Sequence, residues 1–147
     1  ESFMSSSYWT DGIGAAAALA VLKKMESENI FDAVWTKGVA LQDRLRVIAM
    51  KYAACGLIVG GMPVSPTFTF TSAYAAAARK LFITKMQQEG FLVAGIFYLM
   101  HAHKEQHLHR FAEAFERTLQ LIEASVKSGI IETDKSKAFQ QGFTRLA

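Results

Sequence analysis

The sequence has one cysteine, two prolines and little net charge, and each scarcity excludes a class of protein. A lone Cys55 cannot close an internal disulfide, so a disulfide-stapled scaffold is ruled out and a reducing, cytoplasmic setting is expected. The longest apolar stretches, residues 15–22 and 91–100, fall well short of the roughly 20 residues a membrane span requires. Glu1-Ser2-Phe3 is polar and carries none of the basic character of a secretory signal. An apolar fraction of 51% against 20% charged residues excludes a disordered or collagen-like chain. Sixteen basic residues against thirteen acidic ones leave a net charge of +3. Lys37, Arg44, Arg46 and Lys51 are spread around a helical segment with Asp43 among them, which reads as a solvated face and not as a nucleic-acid surface. What remains is a chain of 147 residues, the size of one ordinary domain with a core of its own.

The apolar residues change period along the chain. From Asp11 the sequence reads as helix, with Thr10 or Asp11 as the cap and Lys23, Lys24 and Glu26 as a polar exit. Residues 15–22 are apolar on all sides, so other structure is expected to enclose them. A second helix is predicted over 30–54, with Val34, Gly38, Leu41, Leu45, Ile48 and Tyr52 on one stripe and Gly56 as the stop. Leu57-Ile58-Val59 and the alternating Pro66-Thr67-Phe68-Thr69-Phe70-Thr71 read as strands around Gly60-Gly61, with Phe68 and Phe70 facing the core. Ser72 is placed to cap a third helix running to Glu89, with Ala75, Ala78, Phe82 and Met86 inward. Residues 91–100 read as a further extended segment interrupted at Gly95. A last helix over 104–128 directs Leu108, Phe111, Phe115, Leu119, Ile122 and Val126 inward. The order α-α-β-β-α-β-α predicts an α+β layer domain, a small antiparallel sheet covered by helices.

Few residues carry an obvious chemistry. His101, His103, His107 and His109 fall within nine residues, and neutral imidazoles one helical turn apart can share a metal. No cysteine lies near them, and Glu105 points away from a His103–His107 edge, so a solvated or capping role is preferred and no metal is assigned. The nucleophile elbow Gly-x-Ser-x-Gly, the phosphate loop GxxxxGK[ST] and the dinucleotide fingerprint GxGxxG are all absent. Cys55 is expected to be a buried, inert thiol.

One stretch is more specific. Phe3-Met4-Ser5-Ser6-Ser7-Tyr8-Trp9-Thr10-Asp11-Gly12-Ile13-Gly14-Ala15-Ala16-Ala17-Ala18-Leu19-Ala20 resembles a segment of class III pyridoxal-phosphate aminotransferases, in the branch similar to glutamate-1-semialdehyde 2,1-aminomutase. There it typically reads F-I-S-S-T-F-W-T-E-R-I-G-P-A-A-A-L-A and follows the segment with the catalytic lysine. The resemblance continues through Met62-Pro63 and Phe68-Thr69-Phe70. It returns at Phe97-Tyr98 to Ala102-His103, similar to y-x-S-x-A-H, and at Gly142-Phe143-Thr144-Arg145-Leu146, similar to a closing G-F-x-R-L.

The resemblance implies the C-terminal small domain of a fold-type I pyridoxal-phosphate-dependent transferase. Residues 1–12 would be the connection leaving the cofactor-binding large domain, and residues 13–147 the small domain. Ser7, with Ser6 beside it, would be the cofactor-binding residue, its hydroxyl reaching the cofactor phosphate of the neighbouring subunit in a homodimer. Serine for the family's usual threonine keeps that donor. Asp11, Gly12 and Ala15 depart from glutamate, arginine and proline, and His107 replaces an aspartate in the last helix's first turn. The Schiff-base lysine and the acidic partner of the pyridine nitrogen would lie upstream. Lys23 and Lys24, at a polar helix end, do not stand in for that lysine, so the segment alone is expected to be inactive and to contain no catalytic residue. In the full-length enzyme it would wall a cleft for a small amino or keto substrate, with no nucleic-acid or membrane partner. The competing expectation is a free-standing interaction or scaffold domain without cofactor.

Overall fold

The computed structural model describes residues 11–131. They divide into two compact units, one up to Ala33 and one from Val34 onward. The fold is α+β: four helices and a two-stranded antiparallel sheet.

In the first unit, helix α1 (Gly12–Ser27) starts where Asp11 Oδ1 accepts the Ile13 N–H at 3.0 Å. That is the cap expected of an aspartate just before an alanine-rich run. No residue of α1 is buried, so the enclosure expected for residues 15–22 is not supplied by the described residues. Asn29 ends the helix in the left-handed region, at φ 45°, a conformation asparagine tolerates better than most side chains.

Helix α2 (Ile30–Lys51) carries the predicted stripe, and Val34, Gly38, Leu41, Leu45 and Ile48 are all buried. The helix ends earlier than the predicted Ala54. A single 3-10 turn, Ala53–Cys55, follows, and Gly56 closes it at φ 63°. A Cβ at Gly56 would also lie 2.8 Å from the Ser72 backbone nitrogen, so glycine is needed there for both conformation and space.

Strands β1 (Leu57–Met62) and β2 (Ser65–Phe70) pair in a hairpin whose register sets Val59 opposite Phe68. Both edges of the hairpin are covered. On the β1 side, the buried Gln42 of α2 donates to the carbonyls of Gly60 at 2.8 Å and Gly61 at 3.0 Å. Arg46 donates to the Val59 carbonyl at 3.4 Å. These bonds tie the carbonyls of β1 to α2 and cover that side of the hairpin. Gly38 makes the approach possible, since a Cβ there would sit 2.5 Å from the Pro63 carbonyl oxygen.

On the β2 side runs the segment expected to be a third strand. It forms an isolated bridge, Thr67 to Ile96, and not a regular strand. Three backbone bonds nevertheless run beside β2: Phe68 N–H to Gly95, Phe97 N–H to Pro66 and Leu99 N–H to Val64, at 2.8–3.0 Å. The pairing begins at Gly95, so residues 91–94 take no part in it.

Helix α3 (Ala75–Gln88) starts three residues after Ser72. Ser72 Oγ accepts the Tyr74 N–H at 3.3 Å and so stabilises the preceding turn instead of serving as the cap. Helix α4 (Glu105–Lys127) buries Leu108, Phe111, Phe115, Leu119 and Ile122, whereas Val126 is only half-buried near the helix end. The core is aromatic: the Phe68 ring lies 5.4 Å from Phe115, 5.8 Å from Phe82 and 6.4 Å from Phe111. Thr118, also buried, places its hydroxyl 3.5 Å from the Met86 sulfur.

Candidate functional site

The histidine-rich segment lies where the chain leaves β2's side and enters α4. Phe97 anchors it, with its ring 4.6 Å from Phe111 and 5.5 Å from the His103 imidazole. A tight turn follows, in which His103 N–H donates to the Met100 carbonyl at 3.0 Å and Met100 N–H donates to His103 Nδ1 at 3.1 Å. One turn on, Lys104 N–H donates to His107 Nδ1 at 3.3 Å. His107 thereby takes up an orphan amide at the start of α4, an acceptor role that an aspartate would also fill.

Both imidazoles therefore spend their Nδ1 lone pair on a backbone amide. In the neutral ring the proton then resides on Nε2. Burial, and secondarily the neighbouring His107, push the His103 pKa below the ordinary histidine value, which favours that neutral form. His101 and His109 are exposed, and His109 Nδ1 lies 3.5 Å from Glu113 Oε1 on the next turn. Among the described residues no group of three or more His, Cys, Asp and Glu is placed to hold a metal ion.

Beside this segment is an open, shallow cavity of about 290 Å³ lined by Gly90, Phe91, His103, His107 and Arg110. Arg110 follows His107 by three residues and so shares its face of α4. Neither Arg110 nor Phe91 belongs to a motif; the i, i+3 spacing from His107 is the one sequence signal that points to Arg110. Phe91 packs edge-on against Phe111 at 5.3 Å, which steadies that wall.

A second, open hollow of about 400 Å³ lies between α2 and α4, with Lys37, Arg44, Glu105 and His109 among its walls. Its polar groups are of mixed sign, and Lys37 Nζ is already directed to the His103 carbonyl at 3.4 Å. Two further cations of α2 are similarly occupied. Arg46 pairs with Asp43 at 3.1 Å, and Lys51 pairs with Glu116 at 2.6 Å.

Cys55 is fully buried, as expected, and its thiol lies 3.3 Å from the Leu119 carbonyl. Burial pushes its pKa up to about 11, the opposite of what a nucleophile needs.

The comparison with solved structures gives the fold a counterpart. The FumI protein of Sphingopyxis sp. MTA144, in its PLP internal aldimine form, matches 87% of the chain with a TM-score of 0.73 at 18% identity. The chain has the fold of one part of a pyridoxal-phosphate protein. It spans 31% of the length of that neighbour. No protein-family model and no curated protein sequence matches it. Among the described residues no helix is long and apolar enough to cross a membrane.

The described residues do not themselves fit the covalent site of that cofactor. A lysine that forms an imine sits desolvated in a pocket, and no described lysine is buried. Lys23 and Lys24 are exposed on α1, and Lys24 is 3.8 Å from Glu28. Ser6 and Ser7, together with most of the serine–tryptophan motif and the segment 142–146, lie outside the described residues. The other segments of the resemblance are spread over one unit: Met62-Pro63 at the hairpin tip, Phe68-Thr69-Phe70 in β2, and Phe97 to His103 along β2 and into the turn before α4.

Proposed function

We propose that the chain is the C-terminal small domain of a class III pyridoxal-phosphate-dependent aminotransferase or aminomutase, in the branch similar to glutamate-1-semialdehyde aminomutase. The observation that carries this reading is the likeness of 87% of the chain to one part of a PLP-bearing protein. The motif resemblance at Ser5-Ser6-Ser7-Tyr8-Trp9 agrees with it. In this reading residues 1–12 connect to an upstream large domain, residues 13–147 are the small domain, and the enzyme works as a cytoplasmic homodimer. The cofactor supplies the electron sink for moving an amino group between an amino compound and a carbonyl. The chain's own part is to wall the substrate cleft and to offer the Ser7 hydroxyl, with Ser6 beside it, to the phosphate of the neighbouring subunit's cofactor.

The test uses the full-length protein encoded by the reading frame that contains this chain. It should retain pyridoxal phosphate through gel filtration, be fixed to it by borohydride, and exchange amino groups between amine donors and carbonyl acceptors. Ser7→Ala should weaken cofactor affinity by about ten- to a hundredfold, the worth of one hydrogen bond to a charged acceptor, whereas Ser7→Thr should leave it unchanged. A full-length protein that neither retains the cofactor nor exchanges amino groups would overturn the reading. An unchanged affinity in Ser7→Ala would remove only the phosphate role.

A further inference from the structure

We propose that the cavity bounded by Phe91, His103, His107 and Arg110 is a binding site for a small oxyanion, a carboxylate or phosphate group presented on a short stem. The site follows from what the lining side chains have left to donate and is independent of the aminotransferase reading. The three polar side chains of the cavity offer donors and no free acceptor. His103 and His107 have their Nδ1 atoms engaged by the amides of Met100 and Lys104, which leaves Nε2–H as the group each can present. Arg110 offers a planar set of N–H donors, a fork suited to carboxylate and phosphate, and makes no ion pair among the described residues. Gly90, at φ 89°, has open space where a Cβ would sit and so leaves its side of the cavity clear. The Phe91 ring gives an apolar wall against which a stem can lie. A volume of about 290 Å³ is at the small end for ligand pockets, which suits a compact anion.

The same geometry disfavours the metal that two histidines one turn apart first bring to mind. A metal ion needs an imidazole lone pair. Binding at Nε2 would move the ring proton to Nδ1, where it would oppose a backbone N–H in both residues. Two backbone hydrogen bonds would be broken to make two metal bonds.

The experiment is nitrogen-detected imidazole NMR on the full chain, titrated separately with inorganic phosphate, acetate and Zn²⁺. Saturable movement of the His103 and His107 Nε2 resonances by phosphate or acetate is expected, and the anion that acts at the lower concentration identifies the source. Arg110→Gln should raise the apparent dissociation constant at least about threefold, a modest factor because the guanidinium is exposed, and Arg110→Lys should recover part of it. Arg110 is outside the core, so a dispersed spectrum of each variant is expected and serves as the folding control. Shifts that fail to saturate with either anion, or that are indifferent to Arg110→Gln, would overturn the proposal. So would stoichiometric capture of Zn²⁺ at these two rings.

Discussion

Helices α1 and α4 are both long and regular, yet they are helical for different reasons. Helix α1 buries none of its residues; Ile13, Leu19 and Leu22 are 77%, 60% and 61% exposed. Among the described residues its order comes from alanine-rich propensity, the Asp11 cap and the exposed Lys24–Glu28 pair, sources that leave an isolated helix of this length marginal in water. Helix α4 has less favourable composition, with Phe111, Phe115, Thr118, Ile122 and Val126, but its buried stripe fixes it by packing. A helix specified by packing resists changes on its outer face and fails when its inner face is cut. A helix specified by propensity and a cap has the opposite sensitivity.

The largest expected effect is therefore at the centre of the α4 stripe. Phe115 is fully buried, and its ring meets Phe68 at 5.4 Å, Phe82 at 5.7 Å and Phe111 at 6.3 Å. Phe115→Ala should cost about 3–5 kcal/mol, combining lost transfer energy with the cavity left among three other rings. Urea unfolding of the variant reads this directly. A loss below about 1 kcal/mol would mean that the aromatic core closes over the gap, and the contrast with α1 would lose its basis.

The α4 stripe was legible in the sequence because a strong 3.6-residue period needs no knowledge of what it packs against. The α2 stripe was legible for the same reason, and every residue from Val34 to Tyr52 assigned to it is buried. Three features were not. The third strand reduces to a bridge at Ile96 because an apolar run records burial, not whether each amide finds a partner on β2. Gln42 looks like any polar helix residue until β1 brings two backbone carbonyls to its amide. The histidine cluster was visible as a composition, but its chemistry depends on which ring nitrogen faces which amide, a property of the turn at 100–107 that no spacing encodes. Arg110 and Phe91 join that cluster through the helix face and the loop after α3.

A smaller and local effect is expected at the other helix. Asp11→Ala removes the acceptor of the Ile13 N–H and should cost α1 about 1 kcal/mol, the usual worth of an N-cap. Amide exchange over the first turns of α1 should speed up several-fold, while protection in α4 stays unchanged. Slowed or unaltered exchange in α1 would show that something other than propensity and the cap holds it, and would bring the two helices closer in kind.

The smallest effect on stability, with a distinct spectroscopic signature, is expected where the end of α3 meets α4. Arg117 donates to both carboxylate oxygens of Glu89, at 2.7 and 3.4 Å, and this bonding holds the Glu89 pKa below the ordinary carboxylate value. The sign follows from proton counting. The unfolded chain binds more protons than the folded one between the two pKa values, so the pair stabilises the fold above the ordinary glutamate range and stops doing so as pH falls through the folded value. Both side chains reach solvent, so the contribution is small and salt-sensitive. Arg117→Gln should leave the urea midpoint at pH 7 nearly unchanged and return the Glu89 titration, followed by carboxyl-carbon NMR, towards the ordinary range. A titration that stays depressed in the variant would assign the shift to other neighbours of Glu89. A large drop in the midpoint would instead make this exposed clamp a determinant of the α3–α4 packing, a role the buried faces of Phe82, Met86 and Thr118 are expected to fill without it.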